Sequence, residues 1–364
     1  MKKKNIINDV HLGVKRMGGT TPLTQQKVQE YIQGQFHNYL MNHMNQDLII
    51  NGDLFDGFTV EVNWVIACYM SLSYWLAESD KNTVLYLAAG NHDVGKRNDK
   101  MSSFDVLASL LRSRFSAERV VVIKDRAYSE PGLHIIPHML NQDIFNLALE
   151  EALTWEPGWL LLHANVDNGF AEESDHSLNV SREQLLALSE KHTLIFAHEH
   201  QARVVPMPGK RSPVHVLGNQ WPTSIVDCLP SEHAQLDGCK YAHTITDDEI
   251  YSELTWQPAM SFVEMDWTDL QDTDVQFLRV TGNVKANQAA EVISAIAKYR
   301  QHSGAWVISN SVKVESVETG ADLSAMVLEK LASVNILQEL FEHLEPAETE
   351  AVKKLLEHQK AEAV

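Results

Sequence analysis

The sequence predicts a layered α/β fold. Strand-like apolar runs alternate with helix-like segments through the first half of the chain. Short polar motifs directly follow those runs, where loops at the carboxyl ends of strands in an open α/β sheet converge. Further strand-like segments then follow with no long helix between them, and these are expected to form a second sheet closing the core.

The elements are read in chain order. Ile6-Ile7 is a short strand ending at Asp9, and Gln25 to Met44 has the length and apolar spacing of a helix. Asp47 to Asn51 is a strand built on Leu48-Ile49-Ile50, and Glu61 to Ala77 is a second helix. Thr83 to Ala88 is a strand, Ser103 to Phe115 a helix and Val120 to Ile123 another strand. Trp159 to Leu162 runs into His163, and Leu194 to Phe196 runs into His198. Val214-Leu217, Ser224-Val226 and His243-Ile245 are the segments assigned to the second sheet. A different unit begins near Asp269, with strands at Val275 to Val280 and Trp306 to Val314 around an amphipathic helix at Gln288 to Tyr299. In the tail, Val334, Leu337, Leu340, Phe341 and Leu344 fall on one helical face, Pro346 interrupts, and Ala351, Val352, Leu355 and Leu356 form another stripe. The expected organisation is a core over residues 1–268, a small α/β cap over 269–318 and a helical segment over 319–364.

Composition narrows the class. The 364 residues suit two domains or one large domain with an appendage. Hydrophobic residues make up 44%, which supports a packed core and excludes global disorder. A net charge of -19 argues against a wholly basic nucleic-acid coat. Residues 94–126 invert that balance, with eight Lys/Arg against four Asp/Glu. On charge alone such a run fits a solvated helical face as well as a phosphate-binding groove. Cys68, Cys228 and Cys239 form neither a disulfide framework nor a zinc ribbon, and a reducing cytoplasm is the expected compartment. Met1-Lys2-Lys3-Lys4 opens like a signal peptide, but polar Asn8, Asp9 and His11 interrupt the apolar stretch, so export is not expected. No run reaches the roughly 18 apolar residues of a membrane span.

Five motifs carry the chemistry: Asp9-Val10-His11, Gly52-Asp53-Leu54-Phe55-Asp56, Gly90-Asn91-His92-Asp93, His163 and His198-Glu199-His200. Taken singly, each is a common turn or surface pattern. Five in order, each after a strand, point to a metal site. Phosphodiester cleavage needs a nucleophile, charge neutralisation and a leaving group that can depart, and two divalent metals about 3.5–4 Å apart meet most of these needs. Asp9 and His11 can turn toward one metal, and His200 would return to it. Asp53 is placed to bridge, having two oxygens. Asn91, His163 and His198 would complete the second metal. His92 is then free to act as general acid. Carboxylate, imidazole and amide ligands suit manganese, iron or zinc.

This set resembles the calcineurin-like metallophosphoesterase superfamily. Asp9-Val10-His11-Leu12-Gly13, Gly52-Asp53-Leu54-Phe55-Asp56 and Gly90-Asn91-His92-Asp93 resemble its SbcD branch, the nuclease subunit of the SbcCD DNA-repair complex. Leu217-Gly218-Asn219-Gln220-Trp221-Pro222-Thr223-Ser224 resembles that branch's Gly-Ser-Pro loop, and Lys240-Tyr241-Ala242-His243 the strand after it. The resemblance implies a two-sheet α/β/β/α sandwich with a DNA-facing cap and C-terminal helices that bind the partner ATPase. It implies two divalent metal ions, manganese in that branch, on Asp9, His11, Asp53, Asn91, His163, His198 and His200. His92 becomes the transition-state histidine, with Asp53 the bridging carboxylate at the catalytic centre. The implied activity is DNA exonuclease and endonuclease cleavage. The implied partners are DNA, an SbcC-like coiled-coil ATPase and a second copy of the chain docked through the first helices, with no membrane. The short length and divergence suit a phage-encoded relative.

The chain departs from that pattern at Ala197 and Ala164, where the family usually has Gly, and at Asn219, where it has Ser. Gly57-Phe58-Thr59 lacks the family's proline. These positions bear on groove shape and substrate polarity, not on the ligands. A small-molecule phosphoesterase is the alternative, although it does not require the hundred residues after Asp269. A catalytically silent scaffold is the third reading, and such scaffolds usually lose ligands that this chain keeps.

Overall fold

The computed structural model describes residues 2–17, 21–95, 100–168, 177–209, 212–229, 238–247 and 249–315. Three strand–helix units open the chain: β1 (Lys4–Ile7), α1 (Pro22–Asn42), β2 (Asp47–Asn51), α2 (Val62–Glu78), β3 (Leu85–Ala88) and α3 (Ser103–Arg114), closed by β4 (Val120–Ile123). A hairpin of β5 (Tyr128–Glu130) and β6 (Leu133–Ile136) leads through α4 (Gln142–Ala152) to β7 (Trp159–His163). The short strands β8 (Asn165–Val166) and β9 (Asn179–Val180) precede α5 (Arg182–Leu188) and β10 (Thr193–Ala197). Next come β11 (Arg203–Val205), β12 (Val214–Val216), β13 (Lys240–Ile245), β14 (Ile250–Trp256), α6 (Pro258–Ser261), β15 (Phe262–Asp266) and β16 (Phe277–Thr281). The last described elements are β17 (Asn283–Lys285), α7 (Ala289–His302), β18 (Trp306–Asn310) and β19 (Lys313–Glu315).

Two six-stranded sheets result, in the orders β14-β13-β1-β2-β3-β4 and β11-β12-β10-β7-β6-β5. Each has four parallel strands, so their carboxyl ends line up on one edge of each sheet. The layering follows from side-chain alternation along strands buried on both faces. Ile6, Ile49, Leu161 and Ile195 meet in the layer between the sheets. Their neighbours Ile7 and Ile50 turn to α1, α2 and α3, while Leu160, Leu162, Leu194 and Phe196 turn to α4 and α5. The architecture is therefore the helix–sheet–sheet–helix sandwich. Local signals start the helices. Pro22 opens α1 behind a Thr21 cap, and Ser102 with Asp105 forms a capping box on α3.

Two expectations for the second sheet are corrected, and the expected strand Trp306 to Val314 is two strands, β18 and β19, in separate sheets. Ser224-Val226 is not a strand, because the Asp227 carboxylate gathers the N–H groups of Thr223 and Ser224 (both 2.9 Å) and curls the chain into a 3-10 turn at Val226–Cys228. His243-Ile245 does not lie in the second sheet, because β13 pairs antiparallel with β1 in the first. The second sheet instead takes β7 and β10 as its central strands, with β12 beside them. Apolar strands look alike in sequence, and pairing partners are chosen by tertiary packing.

A three-stranded parallel sheet, β15-β16-β18, follows. The expected boundary at 268/269 falls inside it, between β15 and β16. Phe277 and Ile308 join the core cluster of α1, and the Tyr31 ring meets those of Phe277 (5.3 Å) and Trp306 (6.1 Å) edge-on. Residues Met1–Gly282 and Ile293–Val312 make one compact unit. In the other, Asn283–Lys285 pairs in parallel with Lys313–Glu315. The stripes at Val334 to Leu344 and Ala351 to Leu356 lie outside the described residues. Among the described residues, no helix is long and apolar enough to cross a membrane.

Candidate metal centre

The site forms where the ends of β1, β2 and β3 meet those of β7 and β10. The loops after β1 and β2 run side by side, with Asp9 N donating to Gly52 O (3.1 Å), His11 N to Asp53 O (3.0 Å) and Leu12 N to Leu54 O (2.9 Å). This register turns Asp9, His11 and Asp53 inward on left-handed backbone, at φ 49°, 51° and 49°, and His198 joins them at 85°. Such conformations cost about 1–3 kcal/mol each and persist only where their surroundings hold them. Asp93 is one such holder. Its buried carboxylate accepts the N–H groups of Gly90 (2.9 Å), Leu54 (3.3 Å) and Phe55 (3.3 Å). Two glycines admit the close approach: a Cβ at Gly52 would overlap the His163 ring, and one at Gly90 would overlap Asp53.

All seven candidate ligands and His92 come together. Asp9, His11 and His200 form one donor group, and Asp53, His163 and His198 form another. Asn91 belongs with the second, its Oδ1 lying 2.8 Å from His198 Nδ1 and 3.1 Å from His163 Nε2. Asp53 reaches both, with Oδ1 3.5 Å from His163 Nε2 and Oδ2 3.8 Å from His11 Nε2. His92 donates its backbone N–H to Asp53 Oδ1 (2.9 Å) and its ring Nδ1–H to the Asp56 carbonyl (2.7 Å). Its ring meets the edge of His11 at 4.9 Å.

Electrostatics fit a cation. Burial disfavours a charged His163, yet the Asp53 carboxylate more than offsets this and pushes the imidazole up to about 9. Burial likewise opposes a charged Asp53, but His163, His11 and His92 hold it well below the usual carboxylate range. Burial and then the charge of His163 bring His198 down to about 4. Burial and the nearby Asp53 raise Asp93 to about 7. Imidazolium charge balances carboxylate here, and a bound cation supplies the same balance. Asp9 Oδ1 is buried with no hydrogen-bond partner among the described residues. His11 Nε2 and His200 Nε2 face each other at 3.1 Å. A carboxylate oxygen and imidazole nitrogens aimed at one place are a donor set for a divalent transition metal.

Some contributors were not singled out in the sequence. Asp56 forms a third group with His11 and His92, and takes Arg16 Nη2 at 3.2 Å. Its place in the Gly-Asp-x-x-Asp motif was the available signal. Glu199 accepts the N–H of Val166 (2.8 Å), tying the His198-Glu199-His200 loop to the chain beyond His163. Asn8 donates to Gly218 O (2.7 Å) and receives Gln220 Nε2 (3.3 Å), which joins the loop at 217–224 to the end of β1. Asp227 contacts His200, and no local pattern marks it.

Fold and site together define a metal-dependent phosphoester hydrolase. Residues 5–202, more than half of the chain, match the calcineurin-like phosphoesterase family, and the chain belongs to that family. No curated protein is similar enough to match it.

Proposed function

We propose that this chain is a two-metal DNA nuclease, the catalytic subunit of an SbcCD-type complex, with exonuclease and endonuclease activity. The observation that carries the reading is the gathering of seven side chains from five separate motifs into two donor groups that share Asp53. Asp9, His11, Asp53 and His200 would hold one ion, and Asp53, Asn91, His163 and His198 the other, with manganese as the metal of this reading. Such a pair neutralises phosphoryl charge and lowers the pKa of a water. The chain's own part falls to His92. The Asp56 carbonyl fixes its Nδ1–H, so Nε2 is the atom that hands a proton to the departing oxygen.

A groove of about 580 Å³ supports DNA as the substrate. Its walls include Phe58, Val94 and Gly95, which follow the Asp56 and His92 turns, together with Lys100, Arg112 and Lys124. Lys124 is held by Asp105 (2.6 Å) and Asp125 also lines the groove, so Lys100 and Arg112 leave it a small excess of positive charge to meet a phosphate backbone. Linear duplex DNA and a chromogenic phosphodiester, assayed side by side with Mn2+, test the choice. The nuclease reading expects DNA cleavage. Turnover of the small diester with intact DNA would replace it with a small-molecule phosphoesterase.

The same reading supplies the partners and the compartment. Residues 319–364 lie outside the described residues and are assigned to binding a coiled-coil ATPase; a chain ending at Ser333 should no longer co-purify with it, and retained ATPase would remove the assignment. The exposed face of α2 is assigned to a second copy of the chain. The cytoplasm, where DNA is reached without a membrane, is the assigned location.

A further inference from the structure

We infer that Asp227 positions His200 for metal binding by fixing its tautomer. The inference rests on the two-metal reading above and adds a residue from outside the span that matches the family. Asp227 sits in the 3-10 turn at Val226–Cys228 and is buried. Its carboxylate serves both the turn and His200. Oδ2 accepts the N–H groups of Thr223 and Ser224 (both 2.9 Å), Asn219 Nδ2 (3.0 Å) and Thr223 Oγ1 (3.1 Å). His200 Nδ1 hydrogen-bonds to Oδ2 at 3.3 Å, with Oδ1 also 3.3 Å away. A carboxylate can only accept, so this nitrogen must donate. The proton is thereby placed on Nδ1, and the Nε2 lone pair faces His11 and Asp9. Metal-ligating histidines commonly donate their second ring nitrogen to such a carboxylate. Lys240 Nζ donates to the His200 carbonyl (2.9 Å), so backbone and ring are both fixed.

A turn-capping role alone would also retain an acid at 227, and Asp227→Asn separates the two. The asparagine oxygen can keep the loop's N–H groups, while its NH2 would face His200 Nδ1 and push the proton to Nε2, on the metal side. The full-length parent, Asp227→Asn and Asp227→Ala are titrated with Mn2+ by calorimetry, and each is melted without metal. The parent should show two binding events. Asp227→Asn should weaken one of them about 10–100-fold, leave the other unchanged and melt close to the parent. Asp227→Ala should weaken the same event and also melt lower, having lost the loop's acceptor. Two parental binding events in Asp227→Asn would overturn the inference and leave the two-metal reading intact. Equal weakening of both events together with a lower melting temperature would reduce Asp227 to a structural cap. A parent that bound no Mn2+ would sink both the inference and the reading beneath it.

Discussion

His92 shows how one residue's role emerges from its neighbours. Its backbone N–H holds Asp53, its Nδ1–H is taken by the Asp56 carbonyl, and its ring lies against His11. On the two-metal reading proposed above, it is the histidine left for proton transfer. Replacing it with alanine should lower DNA cleavage by about 10²–10⁴-fold, the usual worth of a general acid. Calorimetry should find both Mn2+ sites retained. Parental cleavage by His92→Ala would end its role as the acid. At this scale the sequence was informative where chemistry is local. Asp9, His11, Asp53, Asn91, His198 and His200 follow strands, His163 ends one, and their side chains gather in one place. Asp227 was hidden because 27 positions separate it from His200, and its meaning comes from a contact rather than a spacing.

At the scale of elements, α2 is the helix whose surface is unusual. From Val62 to Ala77 it carries no charged residue. Trp64, Val65, Leu72 and Trp75 are buried, while Val62 (72% exposed), Ile66 (43%), Met70 (64%) and Tyr74 (53%) form an outward stripe at every fourth residue. A helix apolar on all sides is normally covered on all sides. With a second copy of the chain as the cover, Met70→Glu should weaken self-association by about tenfold or more. Sedimentation velocity would read the change. The melting temperature of the isolated subunit should stay near the parental value, since the side chain is exposed. A parental monomer, or a Met70→Glu dimer of unchanged affinity, would reject this face as the interface. The sequence showed α1, α2 and α3 by their apolar spacing. It passed over β5, β6, α4 and α5, which carry none of the five motifs, and over β14, whose burial is confined to its end at Trp256.

The sandwich core is two six-stranded sheets fastened at both ends. At the site end, Asn51 Nδ2 donates to Leu162 O (3.3 Å), His163 Nδ1 to Asn51 O (3.0 Å) and His198 N to Asp9 Oδ2 (3.0 Å). At the other end, buried Lys4 reaches Tyr86 Oη (2.8 Å), Asp47 (3.3 Å) and, on the second sheet, Glu130 (3.3 Å). Metal held by Asp53 and Asn91 from one sheet and His163 and His198 from the other would cross-link the layers. Mn2+ at a hundred times its dissociation constant should therefore add about 2.7 kcal/mol to stability per site. A chelator should lower the melting temperature, and a curve indifferent to chelator would contradict a metal shared between the sheets.

The sequence alone determined the alternation of strand and helix, the position of every candidate ligand at a strand end and the βαβ unit near the end of the described chain. These are local matters: side-chain period, cap chemistry and the residue types that bind metal. Tertiary structure decided which sheet each strand joined, and it turned Ser224-Val226 into a curl around Asp227. It also placed the expected cap sheet against α1 through Phe277 and Ile308. Burial and pairing depend on contacts between residues far apart in the chain, and apolar strands carry no label for the partner they will meet.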